Sequence, residues 1–163
     1  YDNALNLIKR LRKTEPDNLF YIDTLSDIYL ALKKPQQAIK LLKHYTSYMA
    51  NNSVIALNYS NALIEAHQYT EAITFLERFL NTHTQNIPAW SMLIDANRKA
   101  GKPIERNIAK AEHFALYGNF KQALKELYKA HNQIKNDQIT QVKVQARIKQ
   151  LRQQEEDLKN LKI

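Results

Sequence analysis

The sequence has no cysteine, only two glycines and four prolines in 163 residues, and no apolar run longer than five. Without cysteine there is no disulfide, no thiol nucleophile and no thiolate zinc site, and the compartment stays open. So few glycines and prolines leave little material for the tight turns of a sandwich or barrel, which favours a largely helical chain. The short apolar runs exclude a membrane-spanning helix. The histidines stand at 44, 67, 83, 113 and 131, with no two one helical turn apart, so the HExxH zinc spacing does not occur. There is also no Gly-rich phosphate loop and no GxSxG elbow. Glu112-His113 and Glu65-x-His67 read as surface pairs. Asp23 and Asp27 share one helix face and can tune each other's protonation, but they have neither a closed pocket nor a partner base. The residues therefore predict a chain with no catalytic group, metal site or cofactor of its own.

What the sequence does contain is apolar and basic. It is 44% hydrophobic and 25% charged, enough for one globular unit with an extended core, and it carries a net charge of +8. The excess is local. Residues 1–43 hold eight Lys/Arg against five Asp/Glu, residues 44–97 hold one against four, and residues 98–163 hold fifteen against seven. Tyr1-Asp2-Asn3-Ala4 opens inside an amphipathic pattern with no initiator Met or signal peptide, and reads as the cut edge of something longer.

The decisive signal is self-similarity at a step of 34 residues. It links Ala4, Ala38 and Ala72; Ile8, Leu42 and Leu76; Leu11, Tyr45 and Phe79; and Leu25, Tyr59 and Leu93. Within each unit apolar residues fall at i, i+3, i+4 and i+7, as in Leu25-Ile28-Tyr29-Leu32, which predicts pairs of amphipathic helices. The small residues Ala38 and Ala72 are expected where two helix backbones approach closely, with Tyr29, Leu42 and Tyr45 filling the space between hairpins. Pro35 and Pro103 are expected in first turns, Ser53 and Asn86 at N-caps, and Thr14–Asn18 as a break.

These residues resemble the tetratricopeptide repeat, a helix-turn-helix whose pattern is W-x2-L-G-x2-Y followed by A-x3-F and P. Trp90 and Leu93, and Leu25-Ser26-Tyr29 with Ala38, Leu42 and Tyr45, carry the match. Ser26, Ser60 and Ile94 stand where the family prefers Gly, and Asn97 where it prefers Tyr. One step beyond Ala72 stands Arg106, and the next good match is Ala123, one and a half repeats on. The expected fold is thus an all-α tetratricopeptide-repeat helical-hairpin solenoid with an irregular half-repeat near 104–117 and a C-terminal capping helix. In this helix 104–117, Ala111, Phe114 and Gly118 mark a partner for both neighbours or an insertion. The boundaries expected are 1–18 for the second helix of a truncated repeat, 19–52 and 53–86 for repeats, 87–103 for a half repeat, 104–137 for a repeat and 138–163 for the cap. The cap has Val144, Ile148, Leu151 and Leu158 on one stripe and covers the open end of the stack.

Repeats of this kind bind through the first helix of each unit. The side chains expected on that concave face are Phe20, Asp23 and Asp27, then Leu57, Asn58, Asn61 and Ile64, then Ser91, Asp95 and Arg98. Asp23 and Asp27 stand where a carboxylate clamp would begin and repel a carboxylate, so recognition is expected to be independent of a free C-terminus. Lys121, Lys125 and Lys129 form a basic stripe four residues apart. Because Phe114, Tyr117 and Phe120 fall at positions that the pattern buries, no aromatic interleaves it, and nucleic acid is not the expected partner.

A closer resemblance lies in Ala109-Lys110-Ala111-Glu112-His113-Phe114-Ala115-Leu116-Tyr117-Gly118-Asn119-Phe120-Lys121-Gln122-Ala123 and in Gln145-Ala146-Arg147-Ile148-Lys149-Gln150-Leu151-Arg152. With three repeats in phase before them, they are similar to the C-terminal repeat domain of the bacterial beta-barrel assembly-enhancing protease family. Those proteins join an HExxH zinc metallopeptidase to a tetratricopeptide tail in the periplasm. The resemblance implies a non-catalytic interaction module of a periplasmic protease, docking the outer-membrane beta-barrel assembly machinery, client barrels and its own protease domain. Zinc is implied only in the missing protease part. A generic tetratricopeptide adaptor in cell-envelope assembly or secretion is the alternative, ahead of a binder of anionic surfaces or nucleic acid.

Overall fold

The computed structural model describes residues 2–161, and among these there are nine α-helices and no strand. They are α1 (Asp2–Thr14), α2 (Leu19–Ala31), α3 (Pro35–Tyr48), α4 (Ser53–Glu65), α5 (Tyr69–Leu80), α6 (Ile87–Lys99), α7 (Pro103–Leu116), α8 (Phe120–Gln133) and α9 (Gln138–Asn160). The expected boundaries at residue 1 and at 162–163 lie outside the described residues. Two compact units are present, one ending at His83 and one beginning at Thr84. In the first, α2 packs against α1, α3 and α4, α3 against α4, and α4 against α5. In the second, α7 packs against α6 and α8, and α8 against α9. The all-α hairpin repeat read from the sequence is the observed fold class.

Local chemistry repeats with the helices. Asn18, Asn52 and Asn86 are N-caps of α2, α4 and α6, and each side-chain oxygen accepts from the first-turn backbone N–H groups. Asn119 does the same for α8. Asn86 was expected in this role; at α4 the cap is Asn52, and Ser53 is the first helical residue. The amide oxygen of Asn52 reaches the N–H groups of Val54 and Ile55 at 3.0 and 3.2 Å, which fixes the helix start one residue earlier than the sequence suggested. Pro35 and Pro103 open α3 and α7, where a missing N–H costs no hydrogen bond.

The turns between paired helices also repeat. Lys33, His67 and Gly101, one step of 34 apart, all have left-handed backbone, with φ of 57°, 59° and 69°. Each follows a helix whose last carbonyls are closed by two crossing bonds. After α2, Lys34 N–H donates to the Tyr29 carbonyl at 2.8 Å and Lys33 N–H to that of Leu30 at 2.9 Å. The same pair recurs after α4 and α6. Two of these three positions carry a Cβ and so bear the strain that a glycine is spared.

Buried alanines lie where helices meet. Ala38, Ala72, Ala111 and Ala123 are fully buried, among Leu42, Leu76 and Leu127. In the second unit the core joins Ala111, Ala123, Leu124 and Leu127 to Val144, Ile148 and Leu151 of α9. Tyr45 fills space as expected and also holds the break at 14–18. Its hydroxyl donates to the Pro16 carbonyl at 2.9 Å and accepts from Arg12 at 3.1 Å.

Several expectations change. Helix starts recur every 34 residues at 35, 69 and 103 for second helices and at 19, 53 and 87 for first helices, with α8 at 120 one residue short of the step, so no extra helix is inserted near 104–117. The departure lies in the residues of α7. Arg106, at the step position of Ala38 and Ala72, is only partly buried, and Asn107, Ala109 and Ala111 take the inner face. Helix α7 packs against both neighbours, as α3 does, which is one of the two arrangements foreseen. Tyr117 is 62% exposed, because it is the C-cap of α7 and points away from the hairpin core. Leu158 is 42% exposed, since α9 has 23 residues against the 14 of α8 and its last turns extend past its partner.

Replacing Gly101 by Ala is expected to destabilise the chain by about 1 kcal/mol through backbone strain alone, because nothing lies within 4 Å of the added Cβ. Lys33→Gly and His67→Gly are expected to leave stability unchanged or raise it by up to about 1 kcal/mol. Urea unfolding of the three variants checks this; equal losses at all three positions would contradict it.

Asn97 supplies a second test. It is 1% exposed, and neither side-chain amide atom has a hydrogen-bond partner among the described residues. At the step positions before it stand Tyr29 and Leu63. Asn97→Leu is expected to raise stability by about 1–2 kcal/mol, since an unsatisfied buried amide is replaced by an apolar group of similar size. A lower melting temperature would contradict this.

Candidate functional site

In the first unit α2 and α4 lie side by side and present the expected face. Phe20, Asp23 and Asp27 project at i, i+3 and i+7 along α2, and Leu57, Asn58 and Asn61 along α4. The Asn58 amide donates to the Asp23 carboxylate at 2.5 Å, which joins the two rows. Phe20 is 68% exposed at the start of α2, whereas Leu57, Asn58 and Asn61 are half-buried. Ile64 is 5% exposed and belongs to the core; α4 is buried on most of its circumference because α2, α3 and α5 all pack against it. Partial burial, and then the neighbouring Asp23 charge, raise the Asp27 carboxyl above its ordinary value of 3.8.

In the second unit Ser91, Asp95 and Arg98 lie on α6, as expected. Asp95 is engaged within its own helix, by Arg98 at 2.6 Å and Lys99 at 3.0 Å. Partial burial pushes its carboxyl up, but the hydrogen bonds from Arg98 and Lys99 outweigh this and hold it below 3.8. The Ser91 hydroxyl lies 3.2 Å from His113 Nε2, tying α6 to α7.

Lys121, Lys125 and Lys129 are exposed along α8, and they border a groove of about 620 Å³. Leu124, Tyr128 and Asn132 of α8 and Glu155 of α9 complete much of its lining. The lysine stripe was legible from spacing alone. The apolar floor and Glu155 were not, because they depend on how α9 lies against α8. Also unforeseen is a two-pronged ion pair in which Arg147 of α9 donates to both oxygens of Glu112 of α7, at 2.8 and 2.7 Å. Both residues stand in the two segments that carry the closer resemblance.

No cluster of three or more His, Asp or Glu side chains able to hold a metal occurs among the described residues. The zinc implied by the resemblance therefore finds no fitting site in them, and no chemistry of this chain is derived through it. No described helix is long and apolar enough to cross a membrane. What the faces offer is hydrogen bonding, charge and apolar contact.

The Asp23–Asp27 pair can be titrated. Asp27 binds its proton more tightly in the folded state than in the unfolded one. Its contribution to stability is therefore complete below about pH 3.8 and is lost as pH rises through the raised folded value. NMR titration of Asp23→Asn is expected to bring the Asp27 carboxyl back toward 3.8, leaving only the effect of burial. An unchanged titration would show that the two carboxylates do not interact.

Comparison with known proteins adds lineage to this geometry. The tetratricopeptide-repeat family profile matches residues 29–96. The beta-barrel assembly-enhancing protease of Escherichia coli (strain K12) is 33% identical over 159 residues, covering 98% of this chain and 32% of that protein. The putative beta-barrel assembly-enhancing protease of Vibrio cholerae is 34% identical over 156 residues, covering 96% of this chain and 32% of that protein. The chain thus spans about a third of the length of the curated relatives it matches. Among solved structures, a thermophilic tetratricopeptide-repeat protein of Thermus thermophilus aligns with a TM-score of 0.56 at 17% identity, over 93% of this chain and 90% of that one. MamA aligns with a TM-score of 0.63 at 18% identity, over 98% and 91%. At such identities the structures speak to fold alone. The chain has the fold of tetratricopeptide-repeat domains, with residues 29–96 matching that family's profile, and it aligns over nearly its whole length with about a third of the beta-barrel assembly-enhancing proteases.

Proposed function

We propose that this chain is the non-catalytic docking module of a periplasmic zinc metalloprotease that acts in outer-membrane beta-barrel protein assembly and quality control. Its partners would be the barrel assembly machinery, client barrels and its own protease domain, with the zinc centre in that protease domain. The observation that carries the reading is the 33% identity extending over 98% of the chain to a protein named beta-barrel assembly-enhancing protease. Helical hairpins of this kind expose two sets of side chains unspent on the core, and here both sets suit protein recognition. Phe20, Asp23, Asp27, Leu57, Asn58 and Asn61 make a polar to acidic face with apolar contacts in the first unit. Ser91, Asp95 and Arg98 offer a mixed-charge strip in the second. The acidic pair on α2 disfavours capture of a peptide's terminal carboxylate. A partner is expected to be read as a segment or a folded surface.

Photocrosslinking in cells tests this. A photoreactive residue at Asn61 or Asp95 of the whole protein is expected to capture barrel-assembly components or unfolded barrels, and Lys40 and Thr74 on outer faces are expected not to. Capture only from the outer positions would overturn the assignment of these faces, and a cytoplasmic location in fractionated cells would overturn the periplasmic reading. Amidating the C-terminus of a bound partner peptide is expected to change its affinity by less than about twofold, whereas a carboxylate clamp would lose tenfold or more.

A further inference from the structure

We infer that the groove between α8 and α9 binds an acidic peptide segment, held by Lys121 and Lys125 and by an apolar side chain laid on Leu124 and Tyr128. This rests on the reading of the chain as a protein-docking module and gives one of its surfaces a ligand chemistry.

Charge comes first. Lys121 and Lys125 line the groove and have no ion-pair partner among the described residues. Lys129 is held by Glu126 at 2.6 Å. The one acid in the lining, Glu155, is paired with Lys159 at 3.3 Å. Arg152 adds a further cation, its guanidinium 5.6 Å above the Tyr128 ring. Two unpaired cations side by side on one helix face raise the local potential for an anionic segment.

Shape comes second. The groove is broadly open to solvent, with a volume of about 620 Å³, and its exposed lining is mainly apolar. That is room for one or two side chains of a segment rather than for a whole folded surface. Lys121 and Lys125 stand one turn apart, roughly 6 Å along the axis, a spacing that carboxylates one turn apart on a helical segment match.

Both features favour a peptide over other polyanions. An apolar side chain flanked by carboxylates meets both the lysines and the apolar lining, which a layer of charged headgroups does not. Single-stranded nucleic acid binds along a succession of open aromatic faces, and Tyr128 is the one aromatic among the described residues of the lining.

The test uses the whole chain and a fluorescein-labelled helical peptide carrying glutamates four apart around one phenylalanine. Fluorescence anisotropy is expected to give saturable binding that weakens at least tenfold in the double variant Lys121→Glu/Lys125→Glu, and severalfold in Leu124→Ala. Both lysines are exposed, so the charge-reversed protein is expected to keep its helical circular dichroism. Failure of the peptide to bind, equal binding to the charge-reversed variant, or equal binding of duplex DNA or of phosphatidylglycerol vesicles would each overturn the inference. Crosslinking from Asn61 in the same charge-reversed protein keeps the two readings apart. If it persists while the peptide fails to bind the parent chain, only the groove is lost.

Discussion

Everything in this chain depends on how closely helix backbones approach at a few small residues. Ala38, Ala72, Ala111 and Ala123 are fully buried, and a larger Cβ substituent at such a place forces side chains off their rotamers or pushes the helices apart. Because the alanines of α3 and α5 recur at 34 residues, the same contact is rebuilt in successive hairpins of the first unit. Each hairpin can then bury its Leu42- or Leu76-type neighbours without long loops. The side chains on the remaining sides of the first helices, Asp23 and Asn58 among them, are left to face outward together.

The connections reinforce that contact. An asparagine caps the start of each first helix in α2, α4 and α6, and a left-handed residue closes its end. These devices satisfy backbone groups that short turns would otherwise strand. In the second unit the regularity weakens inside the helices rather than between them. Asn97, Arg106 and Asn107 replace the usual apolar or small residues, and the pair Arg147–Glu112 joins α9 to α7 with charge where apolar packing serves elsewhere. The basic groove lies in this same unit, beside a cap helix whose buried stripe ends at Leu151.

Much of the fold was legible in the sequence because the repeat encodes it three times over. Amphipathic spacing, the alanine step and the first-turn prolines Pro35 and Pro103 each point to the same helices. What escaped has physical reasons. Left-handed turns were hidden because Lys33 and His67 stand where glycine would have announced them. The break in phase at Arg106 suggested an irregular helix, yet the turns kept the step while α7 changed its inner face. Tyr117 fits the apolar pattern but falls on the helix cap, where the pattern no longer dictates burial. Ile64 has the spacing of an exposed residue but sits on a helix enclosed by three others. Of the surfaces, single-helix stripes such as Lys121, Lys125 and Lys129 were readable. The residues that a second helix brings to them, Glu155 above all, were not, since spacing within one helix says nothing of its neighbour.

The central claim, that close approach at the alanine step organises the hairpins and so the surfaces, is tested most directly by comparing Ala72→Leu with Thr74→Leu in urea unfolding. Ala72 is fully buried, and Thr74 is exposed on the same helix. The account predicts a loss of about 1–3 kcal/mol for Ala72→Leu and a change within about 0.5 kcal/mol for Thr74→Leu. Equal, small effects at both positions would contradict it, because the space at Ala72 would then be free to accept a larger side chain.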